Sequence, residues 1–198
     1  MLLRDDIKPH LFKLLAEGNL QRQYDLLRDL VSVALEIPGI RVNGDIVGWL
    51  HLHVTVGLVS DPGKYRDHDV RIGDSKHAPP PFQNVRSMMG DLFVELHQRW
   101  DNDDEFTLAA FALWRLCWIH PFEDGNGRTA RAVAFMIICL KLGGWLPGRQ
   151  TILEKIKLDG GEYKNALQHA DRSAAVGKVD LIPLAALLSR HTVEQLSE

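Results

Sequence analysis

The 198-residue chain is predicted to fold as a mostly α-helical single domain with one small β-hairpin. Three observations predict it. Apolar residues recur at helical spacing in run after run, and proline, glycine and polar clusters cut the chain into helix-length pieces. One run, 128–142, is apolar on nearly every side, as expected of a helix at the centre of a domain. The length suits one domain with a sizeable core and leaves no room for a second of ordinary size. The domain is therefore taken as 1–198, with N-terminal helices over about 1–45 and a core over 46–188.

The elements follow in order. Tyr24, Leu27, Leu30, Val31 and Ala34 lie on one helical face of 20–35, and Ile37-Pro38-Gly39 ends that run. The run 46–59 contains Val54, Thr55 and Val56, which suit a strand, but its length favours a helix. Residues 64–77 alternate charged and apolar positions around Gly73-Asp74-Ser75 and read as a hairpin flap. Pro79-Pro80-Pro81 then imposes extended backbone before a helix over 85–100. A further helix spans 104–119 and stops at His120-Pro121. After a glycine-rich turn comes the central helix 128–142, closed by Gly143-Gly144. Helices over 151–158, 162–173 and 181–196 complete the chain.

Composition narrows the function. The chain is 45% apolar and 25% charged with net charge −3, so no basic surface calls for nucleic acid. The N-terminus lacks the apolar run of a secretory signal, and the longest apolar stretch, 132–140, is too short to span a bilayer. A cytoplasmic protein is expected. Cys117 and Cys139 sit in apolar helical runs and read as two reduced thiols.

The chemistry concentrates in His120-Pro121-Phe122-Glu123-Asp124-Gly125-Asn126-Gly127-Arg128-Thr129-Ala130-Arg131, a polar loop held between two apolar helices. Pro121 pushes His120 out of helical backbone, so its imidazole can face a cleft and act as a base near neutral pH. Gly125 and Gly127 permit successive N–H groups to converge on one anion, and the next helix adds its N-terminal donors. Arg128 and Arg131 share one side of that first turn, an unfavourable place for cations without an anion to bind. Asp124 offers the hard oxygen that magnesium takes beside phosphates, and Asn126 can donate to a phosphate oxygen. Each part alone has an ordinary structural reading: a histidine before proline, a turn, a solvated arginine pair. Together, within one short stretch, they favour phosphate-ester chemistry.

This stretch resembles the signature of the Fic family, His-x-Phe-x-(Asp/Glu)-Gly-Asn-Gly-Arg-x-x-Arg, at every specified position. Upstream, Pro62-Gly63-Lys64-Tyr65-Arg66, Val70-Arg71-Ile72-Gly73 and His77-Ala78-Pro79-Pro80-Pro81 resemble the family's flap. Downstream, Tyr163-Lys164-Asn165-Ala166-Leu167 resembles the segment near its nucleotide base. The resemblance covers roughly 50–188 and implies a helical Fic-type domain that transfers AMP from ATP, with Mg2+, to a tyrosine, threonine or serine hydroxyl of a target protein. His120 would then be the base and Asp124 the metal ligand. Gly125, Asn126, Gly127 and Arg128 would stabilise α-phosphate charge, and Arg128 and Arg131 would hold the β- and γ-phosphates. Tyr163 would lie near the base. Val70, Arg71, Ile72 and Gly73 would dock the target by strand pairing, or merely cover the nucleotide. Phe122 would anchor the loop, and Glu123 would be solvated.

The resemblance extends to an inhibitory pattern, (Ser/Thr)-x-x-x-Glu-(Gly/Asn), in Lys13-Leu14-Leu15-Ala16-Glu17-Gly18-Asn19. Lys13 departs from it, while Glu17 is placed to neutralise Arg131. The competing reading is a surface helix that ends at Gly18. Without Glu17 as a brake, either the enzyme is unrestrained or a separate antitoxin-like inhibitor protein supplies the glutamate. A homodimer is compatible with the sequence. The alternatives to AMP transfer are AMP removal, transfer of another phosphate-containing group, and a catalytically silent binding module. The intact signature disfavours the silent module.

Overall fold

A computed structural model describes residues 7–73, 77–148 and 151–197. Among them lie eight helices: α1 (Pro9–Glu36), α2 (Gly44–Thr55), α3 (Phe82–Arg99), α4 (Glu105–Ile119), α5 (Asn126–Leu142), α6 (Ile152–Leu158), α7 (Gly160–Ala175) and α8 (Ile182–Leu196). The helical class is as expected. Local chemistry sets several ends. Asn43 accepts from the Ile46 N–H, Asp104 accepts from Phe106 and Thr107, and Thr151 with Glu154 forms a capping box. Gly143 closes α5 at φ 76°, a left-handed terminator as its position suggested.

The all-apolar run forms α5, and its face-independent hydrophobicity is spent on neighbours all around it. Val133, Phe135, Met136, Ile137 and Ile138 are fully or almost fully buried. Helix α5 packs most extensively against α4 and also meets α2, α1 and α6. Both cysteines are unpaired, and burial among α5's neighbours pushes the Cys139 thiol up to about 12, which makes it inert.

Two expectations change. Helix α1 runs 28 residues straight through Gly18, so Gly18 does not terminate it. Nothing surrounds the Gly18 Cβ position, and an interior glycine costs a helix only about 1 kcal/mol. Tertiary bonds directly after Gly18 offset that cost. The buried Asn19 amide donates to Val56 O at 2.8 Å, and that of Gln23 donates to Leu50 O at 2.9 Å, pinning α1 along α2.

The hairpin over 64–77 is not seen. Among the described residues this segment consists of bends, a turn at Gly73 and irregular backbone, and residues 74–76 lie outside the described set. The alternation of charged and apolar positions suggested strands, but a two-stranded ribbon alone is marginal in water. Here a carbonyl that a ladder would need is used elsewhere: that of His68 accepts from the Arg66 guanidinium, as does that of Pro80 just beyond the segment.

Candidate active site

The site is built where α4 stops and α5 starts. His120 is the one non-glycine residue at positive φ among the described residues, at φ 51° and ψ 59°. Its N–H still closes the last turn of α4 on Leu116 O, and Pro121 forbids another turn. Chain direction therefore reverses at the histidine itself, and its imidazole leaves the helix surface for a cavity.

The loop after it is cross-linked to itself. The Phe122 N–H donates to Asn126 Oδ1, and Asn126 Nδ2 donates to Phe122 O, both at 2.9 Å. Asn126 is buried, so its amide shapes the loop instead of standing free toward an anion. Phe122 is 1% exposed and lies flat on His51, with ring centroids 3.7 Å apart and planes within 6°. The aromatic anchor expected of Phe122 is thus present.

His51 fastens the other half. Its Nδ1 accepts from the Gly63 N–H at 2.8 Å, so Nε2 carries the proton and donates to the Asp124 carbonyl, also at 2.8 Å. Burial pushes its pKa down to about 4, which keeps it neutral at physiological pH. Gly125, at φ 77°, sits so close to α2 that a Cβ there would lie 2.5 Å from Thr55 Cγ2. Only glycine meets both demands, the left-handed backbone and the close approach.

Helix α5 begins at Asn126 with no side-chain cap, and its first-turn N–H groups have no intrahelical partners. That end is therefore a set of oriented donors awaiting an acceptor. Arg128 Nη2 donates to Asp124 Oδ2 at 3.1 Å, and its Nη1 donates to Val54 O at 3.3 Å. Arg131 lines two cavities. One, of about 480 Å³, also has Arg128, Glu17, Tyr24 and Glu154 in its wall. The other, of about 450 Å³, has His120, Gly127, Tyr163, Ile72 and His77. His120, Arg128, Arg131 and Tyr163 thus gather around the first turn of α5, with Arg131 between the two spaces.

His120 Nδ1 lies 3.3 Å from Cys117 O, which assigns the proton to Nδ1 and leaves a lone pair on Nε2. Burial, helped by the positive Arg66 and by His77, pushes the His120 pKa down to about 4, against the opposing pull of the Cys117 carbonyl and Asp124. Above that pH the imidazole is neutral and can take a proton. Tyr163 is held against Cys117, with Oη 3.6 Å from Sγ, and burial raises its phenol well above the ordinary value. It serves as a neutral wall of the histidine cavity.

The Asp124 carboxylate is the acidic group closest in sequence to the arginines, and its side chain is 43% exposed. Among the described residues no cluster of three or more His, Cys, Asp or Glu side chains could hold a metal. A single carboxylate beside a phosphate site nonetheless suits magnesium, which keeps waters and takes the rest of its oxygens from phosphates.

The remaining expectations fall as follows. Glu17 faces the cavity of Arg128 and Arg131, but its ion pair is with Lys13, at 3.9 Å on the exposed face of α1. Of the four flap residues Ile72 lines the histidine cavity, whereas Arg71 and Gly73 are exposed. Two residues that hold the site were missed. His51 sits within the apolar 46–59 run, where a polar group on the buried face of a helix was the only signal. Arg66 falls in the flap-like run Pro62–Arg66, and nothing in its spacing announces that it is buried.

Comparison with known proteins places this geometry. Residues 43–138 match the model of the Fic/DOC family. A protein adenylyltransferase Fic of Nematostella vectensis is 33% identical over 114 residues, covering 56% of this chain and 25% of that protein. This chain therefore spans about a quarter of that relative. A Fido domain-containing protein of Dictyostelium discoideum is 28% identical over 141 residues, 69% of this chain and 92% of its own length. Among solved structures, a Fic domain containing signaling protein from Bacteroides thetaiotaomicron superposes with a TM-score of 0.73 at 20% identity, covering 90% of this chain and 69% of that one. Fic-1 from C. elegans superposes at 0.67 with 21% identity, covering 91% and 48%. At such identities the structures speak for the fold. With its signature loop intact and built as described, the region 43–138 of the chain is a match to the Fic/DOC family, and the surrounding helices follow the fold of Fic-domain structures.

Proposed function

We propose that this chain is a protein adenylyltransferase that moves AMP from ATP to a hydroxyl side chain of a target protein. Two likenesses support the class: the family match and the adenylyltransferase names of several relatives. The observation that carries the reading is that a neutral imidazole with a free Nε2 shares a cavity with Arg131, beside the uncapped N-terminus of α5.

In this reading His120 Nε2 accepts the proton of the target hydroxyl as its oxygen bonds to the α-phosphorus. The bond from that phosphorus to the bridging oxygen breaks, and pyrophosphate leaves. The free N–H groups at the start of α5 face the charge that grows on the α-phosphate, where preorganised donors have their largest effect. Arg128 and Arg131 hold the leaving phosphates in line. Asn126 contributes by shaping the loop through Phe122. Asp124 would hold magnesium, exchanging its Arg128 partner for the ion. When bound, the metal supplies positive charge that offsets the phosphates.

Negative phosphates beside His120 raise its basicity from the low value of the empty cavity, toward the range where a base works best. ATP labelled on the α-phosphate, incubated with the protein, magnesium and cell lysate, tests the reading. Labelled target protein is expected with wild type, and His120→Ala should lower the rate about 10²–10⁴-fold. Equal labelling by wild type and His120→Ala would sink it.

Glu17 supports a second statement about the same site. It lies in the wall of the arginine cavity and its present partner is the exposed Lys13 at 3.9 Å, so its carboxylate can compete with a phosphate for Arg131. Glu17→Gly is then expected to raise transfer. Unchanged transfer in that variant would remove the brake and leave the enzyme.

A further inference from the structure

Among the described residues, Arg66 is a buried cation that the proposed mechanism does not use. The Arg66 side chain is fully enclosed, and its donors go to backbone carbonyls. Nε donates to His120 O at 2.9 Å, Nη2 reaches Ile119 O at 3.5 Å, and the Arg66 backbone N–H donates to Pro121 O at 2.9 Å. Three consecutive carbonyls, those of residues 119, 120 and 121, thus turn toward one residue. The other arm of the fork holds a second pair: Nη1 donates to His68 O at 3.0 Å, and Nη2 to Pro80 O. Those two carbonyls bracket the segment that brings Ile72 and His77 to the histidine cavity.

We propose that Arg66 is a positioning residue: it holds His120 in its left-handed turn and ties both ends of the 66–80 segment to that turn, so that docking on the segment and proton removal by His120 share one mechanical joint. The proposal rests on the reading of His120 as the base, and goes beyond it by naming what aims that base and links it to the target side.

The energetics support a specific device. A left-handed residue with a side chain costs about 1–2 kcal/mol and persists only where its surroundings over-determine it. Burying a guanidinium costs several kcal/mol unless its donors are met. Here each liability answers the other: the reversal at His120 exposes successive carbonyls, and the planar fork satisfies them. The one carboxylate within salt-bridge reach among the described residues is the exposed Asp69, at 3.6 Å, and it also accepts from the Phe82 N–H at the start of α3. Lysine cannot replace the fork, because a single ammonium cannot reach the carbonyls set around the edges of the planar guanidinium. The charged and titratable groups around His120 are Arg66, His77, Asp124 and, across the cavity, Arg131, so removing the first also removes a positive neighbour of the imidazole.

The test compares wild type, Arg66→Lys and Arg66→Met in three measurements. Amide hydrogen exchange should quicken together in peptides covering 66–73 and 117–122 of Arg66→Met, with α5 still protected. Binding of ATP, titrated directly, should stay within about threefold of wild type, while kcat falls about 10²-fold, the size of effect that a misplacement of about 1 Å produces. The imidazole of His120, followed by NMR, should titrate higher in Arg66→Met than in Arg66→Lys, which keeps the charge but loses the fork. Arg66→Lys should recover part of the kcat.

Exchange that quickens in only one of the two segments would overturn the proposal. So would loss of α5 protection in Arg66→Lys as well as Arg66→Met, since Arg66 would then serve general stability. Retention of wild-type kcat by Arg66→Met would overturn it too. Should His120→Ala retain transfer, the base reading falls by itself, and the paired exchange of the two segments still decides the joint.

Discussion

Two walls of the histidine cavity are built in opposite ways. The 120–126 loop is bound at almost every residue: Asn126 clasps both backbone groups of Phe122, His51 holds the Asp124 carbonyl, and Gly125 is pressed against Thr55. The 66–80 segment is tied near its ends, by Arg66, by Asp69 on Phe82 N and by His77 on Trp118 O. Between those ties Arg71 and Gly73 stand exposed. Under the proposed function the two walls answer different demands. Chemistry on phosphates requires donors fixed to within fractions of an ångström. A wall that meets a macromolecular partner can leave its backbone groups unsatisfied by the domain itself, because water or the partner satisfies them.

The largest effect should come from breaking the rigid wall. Gly125→Ala places a methyl group 2.5 Å from Thr55 Cγ2 on backbone at φ 77°. It is expected to cost more than about 1 kcal/mol and to lower transfer sharply. Thermal unfolding and nucleotide titration check both. Stability within error of wild type would show that the loop yields where its packing says it cannot.

A second effect lies in pH. His51 and His120 are both held neutral, with pKa values near 4 against an ordinary value of about 6.5. The unfolded chain therefore binds more protons than the folded one between those limits. Stability should be full above about pH 6.5 and fall as pH drops toward 4. For the buried His51 the loss amounts to at most about 3 kcal/mol. Urea unfolding at pH 7 and pH 5 measures it, and His51→Gln, which removes the titrating group, should show a smaller difference between the two. An equal difference in both proteins would place the pH dependence elsewhere.

The smallest effect is expected on the open wall. Arg71 stands exposed on that wall. Arg71→Ala should change stability by less than about 0.5 kcal/mol and leave ATP binding alone. A loss comparable to that of Gly125→Ala would erase the contrast between the walls.

Much of this could be read before any coordinates. The central helix was evident from its all-round apolarity, and the helix over 46–59 from its length. The stops at His120-Pro121 and Gly143 were equally plain, because proline and glycine act through local backbone sterics. Gly18 misled for the converse reason: its terminating tendency is worth about 1 kcal/mol, and Asn19 and Gln23 bond to α2 on the far side of it. The 64–77 alternation suggested strands because period two is a local signal, whereas a ladder needs a partner whose carbonyls are free. Asn126 looked like a phosphate donor, since its residue type allows it, and only the fold shows its amide already committed to Phe122.

By itself the sequence determined the helical class, the order of the helices and the chemistry of the loop. Those rest on periodicity, on proline and glycine sterics, and on the identity of side chains within a dozen consecutive positions. The tertiary structure decided which buried polar groups hold that loop. His51 lies 73 residues from the carbonyl it binds, and Arg66 lies 54 from His120. A hydrogen bond across such a separation leaves no periodic trace in the chain. It exists only once α2, the 66–80 segment and the α4–α5 turn have been brought against one another.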